Sequence, residues 1–271
     1  MAIWRPHSNA LLVIARFEFF ECVRNRWLLV YGLAFLVFAN LIAWFSGDNA
    51  LSASASLLSL VLLLVPLFAL IFGSISFMQS APFQAILAVQ PIRRGDIFLG
   101  KWLGLSGGLA ASYVAGMGAG ALPRIGSWAN GTAAFVLLLS IGVLLTFAFT
   151  GLAFLLANLS RRIEVVFGLA LALWFHFFVA HDLLVLALVA RFGDYPLETA
   201  ILVLSILNPI DLARIMLTLN MDLSAMLGYT GAVFEKTLGG AWGASIGLGF
   251  LALWGALPAL AGLRLFQRKD L

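Results

Sequence analysis

Charged residues are scarce in this sequence. Only 10% of its 271 residues are charged, whereas 63% are hydrophobic and the mean hydropathy is +1.06. A soluble domain carries roughly 25% charged residues. So few polar side chains cannot cover a folded chain of this size in water, and the chain needs lipid as part of its surroundings. The composition therefore predicts one integral membrane domain over residues 1–271.

Several chemical signatures are also missing. The single cysteine, Cys22, excludes an internal disulfide bond and gives no redox signal. Neither H-E-x-x-H nor G-x-S-x-G occurs, and no pair of carboxylates lies within an apolar run, which disfavours an intramembrane enzyme. The letters G-x-x-x-x-G-K occur at 95–101, but Trp102 follows where a phosphate-binding loop needs Ser or Thr. We expect no catalytic group and no cofactor in this chain, and any ATPase that drives it is a separate protein.

Long apolar runs are what the sequence does contain. A membrane-spanning helix needs about 20 mostly apolar residues, and six stretches are long enough. The predicted spans are Trp27–Phe45, Leu51–Met78, Trp102–Leu122, Ala133–Ala157, Ile163–Val189 and Ala241–Leu263. We predict an all-α, polytopic membrane protein in which residues 27–263 form a six-span bundle and residues 264–271 form a tail.

Basic residues are distributed unevenly between the two sides of this bundle. The side with the N-terminal 26 residues, the loops 79–101 and 158–162 and the tail holds 12 of the 16 Lys and Arg residues. The four on the other side are Arg124, Arg191, Arg214 and Lys236. Because Lys and Arg are retained in the cytoplasm, both chain ends are predicted to be cytoplasmic. The net charge of +4 therefore reflects topology and membrane lipid, and we expect no nucleic-acid partner.

The residues before the first span have a two-sided pattern. At 100° per residue, Glu18, Glu21 and Asn25 share one narrow face of a helix. The residues of a second, apolar face are Val13, Phe17, Phe20, Val23 and Trp27. We predict an amphipathic helix within residues 1–26 that lies in the cytoplasmic interface with its acidic face exposed.

Two loops carry local helix signals. Pro82 and Pro91 bound a short helix within the loop 79–101. In the external segment 190–240, Asn208-Pro209-Ile210-Asp211 places Asn at an N-cap, Pro at the first helical position and Asp in the first turn. We predict a helix of two or three turns from there, through Arg214 and Met216.

Histidine and methionine provide weak candidates for ligands. His176 lies near the middle of the fifth span, with His181 and Asp182 beyond it, and such residues either form a proton or metal relay or pair between helices. The external methionines are Met216, Met221 and Met226. Thioethers suit Cu(I), but a spacing of five does not put all three on one helical face, so gap-filling is the default. We predict no resident metal site.

Glycines crowd the third and fourth spans with small-x-x-x-small spacing, which favours close helix contact and is compatible with a homodimer. These glycines are Gly104, Gly107, Gly108, Gly116, Gly118, Gly120, Gly142 and Gly151.

Three patches, in this order along the chain, resemble type-2 ABC transporter permeases, most of all those that work in maturation of nitrous oxide reductase, a copper enzyme. The first patch consists of Ile14-Ala15-Arg16, Glu18 and residues 24–29 (RNRWLL). The second consists of Pro91, Arg94-Gly95, Ile97 and Leu99-Gly100-Lys101. The third consists of Leu207-Asn208-Pro209, Asp211 and Arg214. The resemblance covers most of the chain. It implies a homodimer in the bacterial inner membrane, bound to two ATP-binding subunits that carry ATP and Mg.

The same resemblance implies roles for particular residues. The coupling residues toward the ATPase would be Glu18, Glu21, Arg24, Arg93, Arg94, Asp96 and Lys101. A periplasmic β-helical protein would sit on the segment 190–240, and its platform would be formed by Asn208, Pro209, Asp211 and Arg214. The complex would transmit ATP-driven movement or pass a sulfur or copper species.

One stretch departs from the family pattern. Family members carry an acidic stretch of the form E-x-E-x-G-T where this chain has Gln79–Gln84. Either the partner ATPase has changed with it, or coupling relies more on the N-terminal helix. Two other functions remain open: a type-2 ABC exporter of a lipid or drug, and a secondary transporter that uses His176, His181 and Asp182 as a proton relay.

Overall fold

The computed structural model describes residues 10–46, 50–125, 131–192, 197–220 and 240–268. All regular structure in these residues is helical. The helices are α1 (Ala10–Val23), α2 (Arg26–Phe45), α3 (Ala50–Gln79), α4 (Ala81–Val89), α5 (Arg94–Ile125), α6 (Gly131–Leu159), α7 (Ile163–Phe175), a π-helical turn (His176–Ala180), α8 (His181–Phe192), α9 (Glu198–Ile206), α10 (Pro209–Asn220) and α11 (Gly240–Arg268). The prediction of an all-α fold is confirmed for this part of the chain.

Five segments of the described chain are long and apolar enough to cross a membrane. They are Arg26–Phe45, Ala55–Gln79, Ala133–Leu159, Ile163–Phe192 and Ser245–Arg268. The number is six if α9 and α10, which are bent by 112° to each other, count as one broken span. The predicted span Trp102–Leu122 is not among these five. It lies in α5, which is 32 residues long but contains eight glycines that lower its hydropathy.

The composition of α5 fits its position, because other helices surround it. It packs on α1, α2 and α6, and glycine allows helices to approach closely within a bundle. A Cβ atom on Gly116 would collide with the carbonyl oxygen of Gly32, and one on Gly120 would lie 2.6 Å from that of Leu36. These contacts advance together along both chains, so α2 runs beside the second half of α5 in the same direction.

Helix α6 runs beside α5 in the opposite direction. Ser106 and Thr150 share a hydrogen bond of 2.7 Å, and further along the Tyr113 hydroxyl donates to the carbonyl oxygen of Leu138 (3.1 Å). Gly142 leaves the space that the Tyr113 ring occupies. The glycine-rich helix is therefore fixed by hydrogen bonds as well as by close packing.

Four phenylalanines join one end of the bundle. Phe77 lies near the end of α3, Phe98 near the start of α5, Phe154 near the end of α6 and Phe266 near the end of α11. All four rings are buried, and the centroid distances between contacting pairs run from 4.6 Å to 6.0 Å. Helix α4 connects α3 to α5 at this end, which we call the α4 end; the opposite end, with α10, is the α10 end.

The connection at the α4 end is shorter than predicted. The short helix between Pro82 and Pro91 is confirmed as α4. The loop does not extend to residue 101, however, because α5 already begins at Arg94. Asp96 lies in the first turn of α5, where a carboxylate stabilises the positive end of the helix dipole.

The helix predicted after Asn208 is confirmed as α10, which is 12 residues long. The Asn208 side-chain oxygen accepts from the backbone N–H groups of Ile210 (2.9 Å) and Asp211 (3.3 Å), which is an N-cap. The sharp bend before it makes α9 and α10 a hairpin. The carbonyl of Ile206 at this bend accepts from Nε1 of Trp254, midway along α11 (3.0 Å), so the bend reaches into the bundle.

Candidate functional site

Helix α1 lies in a groove that three glycines form on α5. Ile14 faces Gly100, Glu18 faces Gly104, and Cys22 faces Gly108. A Cβ atom on the middle one, Gly104, would collide with the carbonyl oxygen of Ala15 and lie 2.7 Å from the Glu18 Cβ. Both helices advance by four residues from one contact to the next, so α1 runs beside the first half of α5 in the same direction.

A buried ion pair lies in this groove. Nζ of Lys101 donates to both carboxylate oxygens of Glu18, at 2.8 Å each, and the two side chains are only 5% and 6% exposed. The prediction that Glu18 belongs to an exposed acidic face is therefore wrong, because Lys101 neutralises it inside the α1–α5 contact. Burial raises the pKa of Glu18, and the charge and hydrogen bond of Lys101 oppose this shift.

The apolar face predicted for α1 is exposed, in agreement with the helical pattern. Phe17 and Phe20 are about half exposed, and Val13 is more so. Cys22 lies on the opposite, buried side, where burial raises the pKa of its thiol to about 12. A neutral thiol is a poor nucleophile and metal ligand, so Cys22 has a packing role.

Of the other residues predicted to couple to an ATPase, Arg93, Arg94 and Asp96 lie at the α4 end, whereas Glu21 and Arg24 follow Glu18 along α1 toward the middle of α5. Glu21, Arg24 and Arg93 are exposed, as a docking role requires. Arg94 is exposed too, and its Nη1 donates to the carbonyl oxygen of Gln267 near the end of α11 (3.1 Å). The structure thus separates the predicted set into a buried pair within the bundle and an outer group.

Helix α4 presents apolar side chains that the sequence reasoning missed. Phe83 is 40% exposed, Ile86 62% and Val89 90%. Their spacing of three puts them on one side of the helix, and this spacing was a readable signal between the two prolines. The ring of Phe83 stacks on Phe17 of α1 at 5.9 Å, so α1 and α4 form one continuous surface.

The stretch that departs from the family pattern closes the end of α3. The Ser80 hydroxyl donates to the carbonyl oxygen of Phe77 (2.9 Å), and Nε2 of Gln84 donates to the same oxygen (3.1 Å) and to the Ser80 hydroxyl (2.8 Å). Gln84 is buried. Neutral side chains therefore hold α4 against α3.

At the α10 end, Asn208 joins the hairpin to the fifth predicted span. Its Nδ2 donates to the carbonyl oxygen of Phe177 (2.8 Å), which lies in the π-helical turn. A π-helical turn interrupts the regular α-helical bonding and leaves backbone groups for other partners. Asn208 is fully buried, so one amide both starts α10 and binds the interrupted helix.

A charged network surrounds the start of α10. Nη1 of Arg214 donates to Oδ2 of Asp182 (2.8 Å) and lies 3.7 Å from Oδ1 of Asp211. The Arg214 side chain is 27% exposed and that of Asp182 42%, whereas Asn208, Pro209 and Asp211 are buried. These three residues hold the hairpin from inside, so Arg214 is the one of the four predicted platform residues that is partly exposed; the platform role stays a prediction.

The candidate relay residues have separate surroundings. His176 is exposed and lies against the Phe177 ring. His181 is buried, and its Nε2 donates to the carbonyl oxygen of Leu204 (3.1 Å). Asp182 bonds to Arg214 instead. The structure therefore gives each of the three a different partner.

The candidate methionines are only partly described. Met216 is buried in α10, and its thioether fills the space over Gly247 of α11, which is the gap-filling role. Met221 and Met226 lie outside the described residues. In the part of the chain that the structure describes, no three His, Cys, Asp or Glu side chains form a group suited to a metal.

The comparison with known proteins agrees with this arrangement. The family model described as ABC-2 family transporter protein matches residues 12–271. The chain is 32% identical over 276 residues to the probable ABC transporter permease protein NosY of Pseudomonas aeruginosa, which covers 95% of this chain and 98% of that protein. It is also 32% identical over 274 residues to the probable ABC transporter permease protein NosY of Stutzerimonas stutzeri, with 95% of each chain covered.

The chain therefore belongs to the ABC-2 family of transporter proteins. Members of this class form the membrane-embedded permease part of an ABC transporter, which fits a helical bundle with several candidate spans.

Proposed function

We propose that this chain is the membrane permease subunit through which a separate ATPase drives transport or a conformational signal to the periplasm. The observation that supports the proposal most is α4, a nine-residue helix that carries three exposed apolar side chains outside the bundle. An exposed apolar helix on a polar side of a membrane protein is unstable in water unless a partner covers it. An ATP-binding subunit with a groove for α4 is such a partner, and that subunit would bind ATP and Mg.

The topology that goes with this function has six spans and cytoplasmic ends. Helix α5 is about 48 Å long at 1.5 Å per residue, enough to cross a hydrocarbon core of about 30 Å. It runs beside α6, which qualifies as a span by itself. With α5 as the third span, α9 and α10 become a re-entrant hairpin on the periplasmic side. The arginines at the α4 end then lie in the cytoplasm of the bacterial inner membrane.

The charged residues beside α4 suit the same partner. Arg93 is exposed at the α4 end, and Glu21 and Arg24 are exposed further along α1. These residues offer charges of both signs beside the apolar side chains of α4, which is the usual composition of a protein interface. The α1 helix would lie at the membrane interface with Val13 and Phe20 toward lipid.

A homodimer is part of the proposal. The segment Ile163–Phe192 is the least buried of the five candidate spans in the described chain, and a second copy of the chain would cover part of it.

We also propose that the complex serves maturation of nitrous oxide reductase. The names of the two NosY relatives and the resemblance of the three sequence patches support this assignment. A periplasmic β-helical partner would rest on the α10 end, where Arg214 and Asp182 are partly exposed. The hairpin would transmit movement to it.

Co-purification in mild detergent tests the ATPase partner. The variant Ile86→Asp/Val89→Asp places charges on the exposed side of α4 and is expected to lose the ATPase, while the yield of the permease itself is unchanged. Leu159→Asp is the matched control, because Leu159 is 59% exposed at the same end but lies on α6. Equal recovery of the ATPase with the unmodified permease, the α4 double variant and Leu159→Asp would contradict docking on α4.

A further inference from the structure

The Glu18–Lys101 pair is the most completely buried charge in the described part of the chain. Both oxygens of Glu18 lie 2.8 Å from the ammonium nitrogen of Lys101, and neither side chain exceeds 6% exposure. Such a pair contributes little to stability compared with apolar residues of the same size, and its best-attested use is to fix one register between two helices.

The four-residue spacing of the glycine groove favours one register of α1 on α5. The residues four positions before and after Glu18 on the contact side are Ile14 and Cys22. If α1 moved along the groove by this four-residue step, Lys101 would face one of these two side chains, and neither neutralises an ammonium group. A buried, unpaired charge is strongly unfavourable, so a slide that keeps α1 in the groove is opposed.

The groove itself opposes tilting. At Gly104 the two backbones are so close that a Cβ atom would collide with the carbonyl oxygen of Ala15, and at Gly108 it would lie 2.8 Å from the Cys22 sulfur. Steric fit restricts tilting of α1 relative to α5, and the ion pair restricts movement of α1 along α5. Together they leave α1 and α5 as a single rigid unit.

We propose that Glu18 and Lys101 are positioning residues that fix α1 to α5, so that both helices move as one body when the partner ATPase acts on the α4 end. The inference rests on the function proposed above. Glu18 and Lys101 need not touch the ATPase. Exposed residues of α1 and α4 receive the movement, and the ion pair transfers it to α5, which runs the length of the bundle to the α10 end.

Spin-label distances in the complete complex test this role. The background is Cys22→Ala, which removes the single natural cysteine. One label pair, on Val13→Cys and Ala119→Cys, reports the distance between α1 and α5. A second pair, on Ala119→Cys and Leu186→Cys, reports the distance between α5 and α8. All three positions are exposed, and each distance is measured without nucleotide and with ATP plus vanadate.

With the ion pair intact, we expect the α1–α5 distance to be the same in both states and the α5–α8 distance to shift. In Lys101→Met the α1–α5 distance should become nucleotide-dependent and the α5–α8 shift should be lost. Glu18→Gln, a neutral isostere, should act in the same way and serves if the first variant does not assemble. The exchange Glu18→Lys with Lys101→Glu should restore both behaviours, which a loss of stability alone would not produce.

Two outcomes would overturn the proposal in distinguishable ways. If Lys101→Met keeps a constant α1–α5 distance and the full α5–α8 shift, the positioning role is refuted and the proposed function stands. If the α5–α8 distance does not respond to ATP even with the pair intact, the proposed function is refuted, and the positioning role with it.

Discussion

The two ends of the bundle use charge differently. At the α4 end, Lys101 and Glu18 are buried together, and no charged surface remains at that contact. At the α10 end, the buried group that joins the helices is a neutral amide, Asn208, and the ion pair of Arg214 with Asp182 is partly exposed. A buried pair fixes register strongly, whereas an exposed pair is weak and screened by salt.

This difference teaches how the parts of the molecule are joined. Helix α1 is attached to α5 by packing in the glycine groove and by the Glu18–Lys101 ion pair, which is lost if either residue is replaced by an uncharged one. The α9–α10 hairpin is attached by neutral hydrogen bonds, one of them to the carbonyl of Phe177 in the π-helical turn. The α1–α5 contact therefore depends on two buried charges, whereas the contacts of the hairpin within the bundle depend on neutral groups.

The largest effect is expected at the buried pair. Lys101→Met leaves the Glu18 carboxylate unpaired in the groove and should lower the free energy of unfolding by about 4 kcal/mol. Thermal unfolding in detergent measures this loss. The double variant Glu18→Met/Lys101→Met removes both charges and should recover most of the stability; a double variant as unstable as the single one would contradict the account.

Close packing in the groove comes next. In Gly104→Ala the new methyl group collides with the backbone of α1, which should cost about 3 kcal/mol. Gly118→Ala on the same helix is the matched control, because nothing lies within 4 Å of its Cβ position. The melting temperatures of the two variants should differ clearly, and equal values would mean that α1 does not occupy the groove.

A smaller effect is expected from the buried amide at the α10 end. Asn208→Ala removes an N-cap and leaves the Phe177 carbonyl without its donor, at a cost of about 2 kcal/mol. Asn25→Ala is the comparison, since Asn25 caps α2 through Trp27 only and is partly exposed; it should cost about 1 kcal/mol. If both variants lose the same stability, the bond to the π-helical turn contributes nothing.

The smallest effect concerns the exposed ion pair. Asp182→Asn should change the free energy of unfolding by only about 0.5 kcal/mol, because solvent screens a pair of this exposure. The difference from the parent protein should shrink further at high salt. A loss as large as that of Lys101→Met would remove the contrast between the two ends.

Local sequence signals predicted the helices well. Apolar runs marked every long helix except for the early start of α5, and the Asn-Pro-x-Asp pattern located the start of α10, because capping depends on residues only three positions apart. The glycine spacing of α5 indicated close contact but not its partners, since a small-residue pattern is the same for a neighbouring helix and for a second copy.

Burial of charge was not predictable in the same way. A helical wheel puts Glu18 beside Glu21 on a polar face, and its partner Lys101 is 83 positions away. Only the packing of α1 on α5 brings them together. The apolar side chains of α4 have a visible spacing, but their exposure depends on where α3 and α5 place the connection.

Site-specific photo-crosslinking in cells tests most directly the claim that the two ends face different partners. A photoreactive residue is placed at Val89 on α4 or at Arg191, which is exposed near the end of α8, and adducts are identified by mass spectrometry. We expect an adduct with an ATP-binding subunit from Val89 and none from Arg191. An ATPase adduct from Arg191, or from neither position when both residues are incorporated, would contradict it.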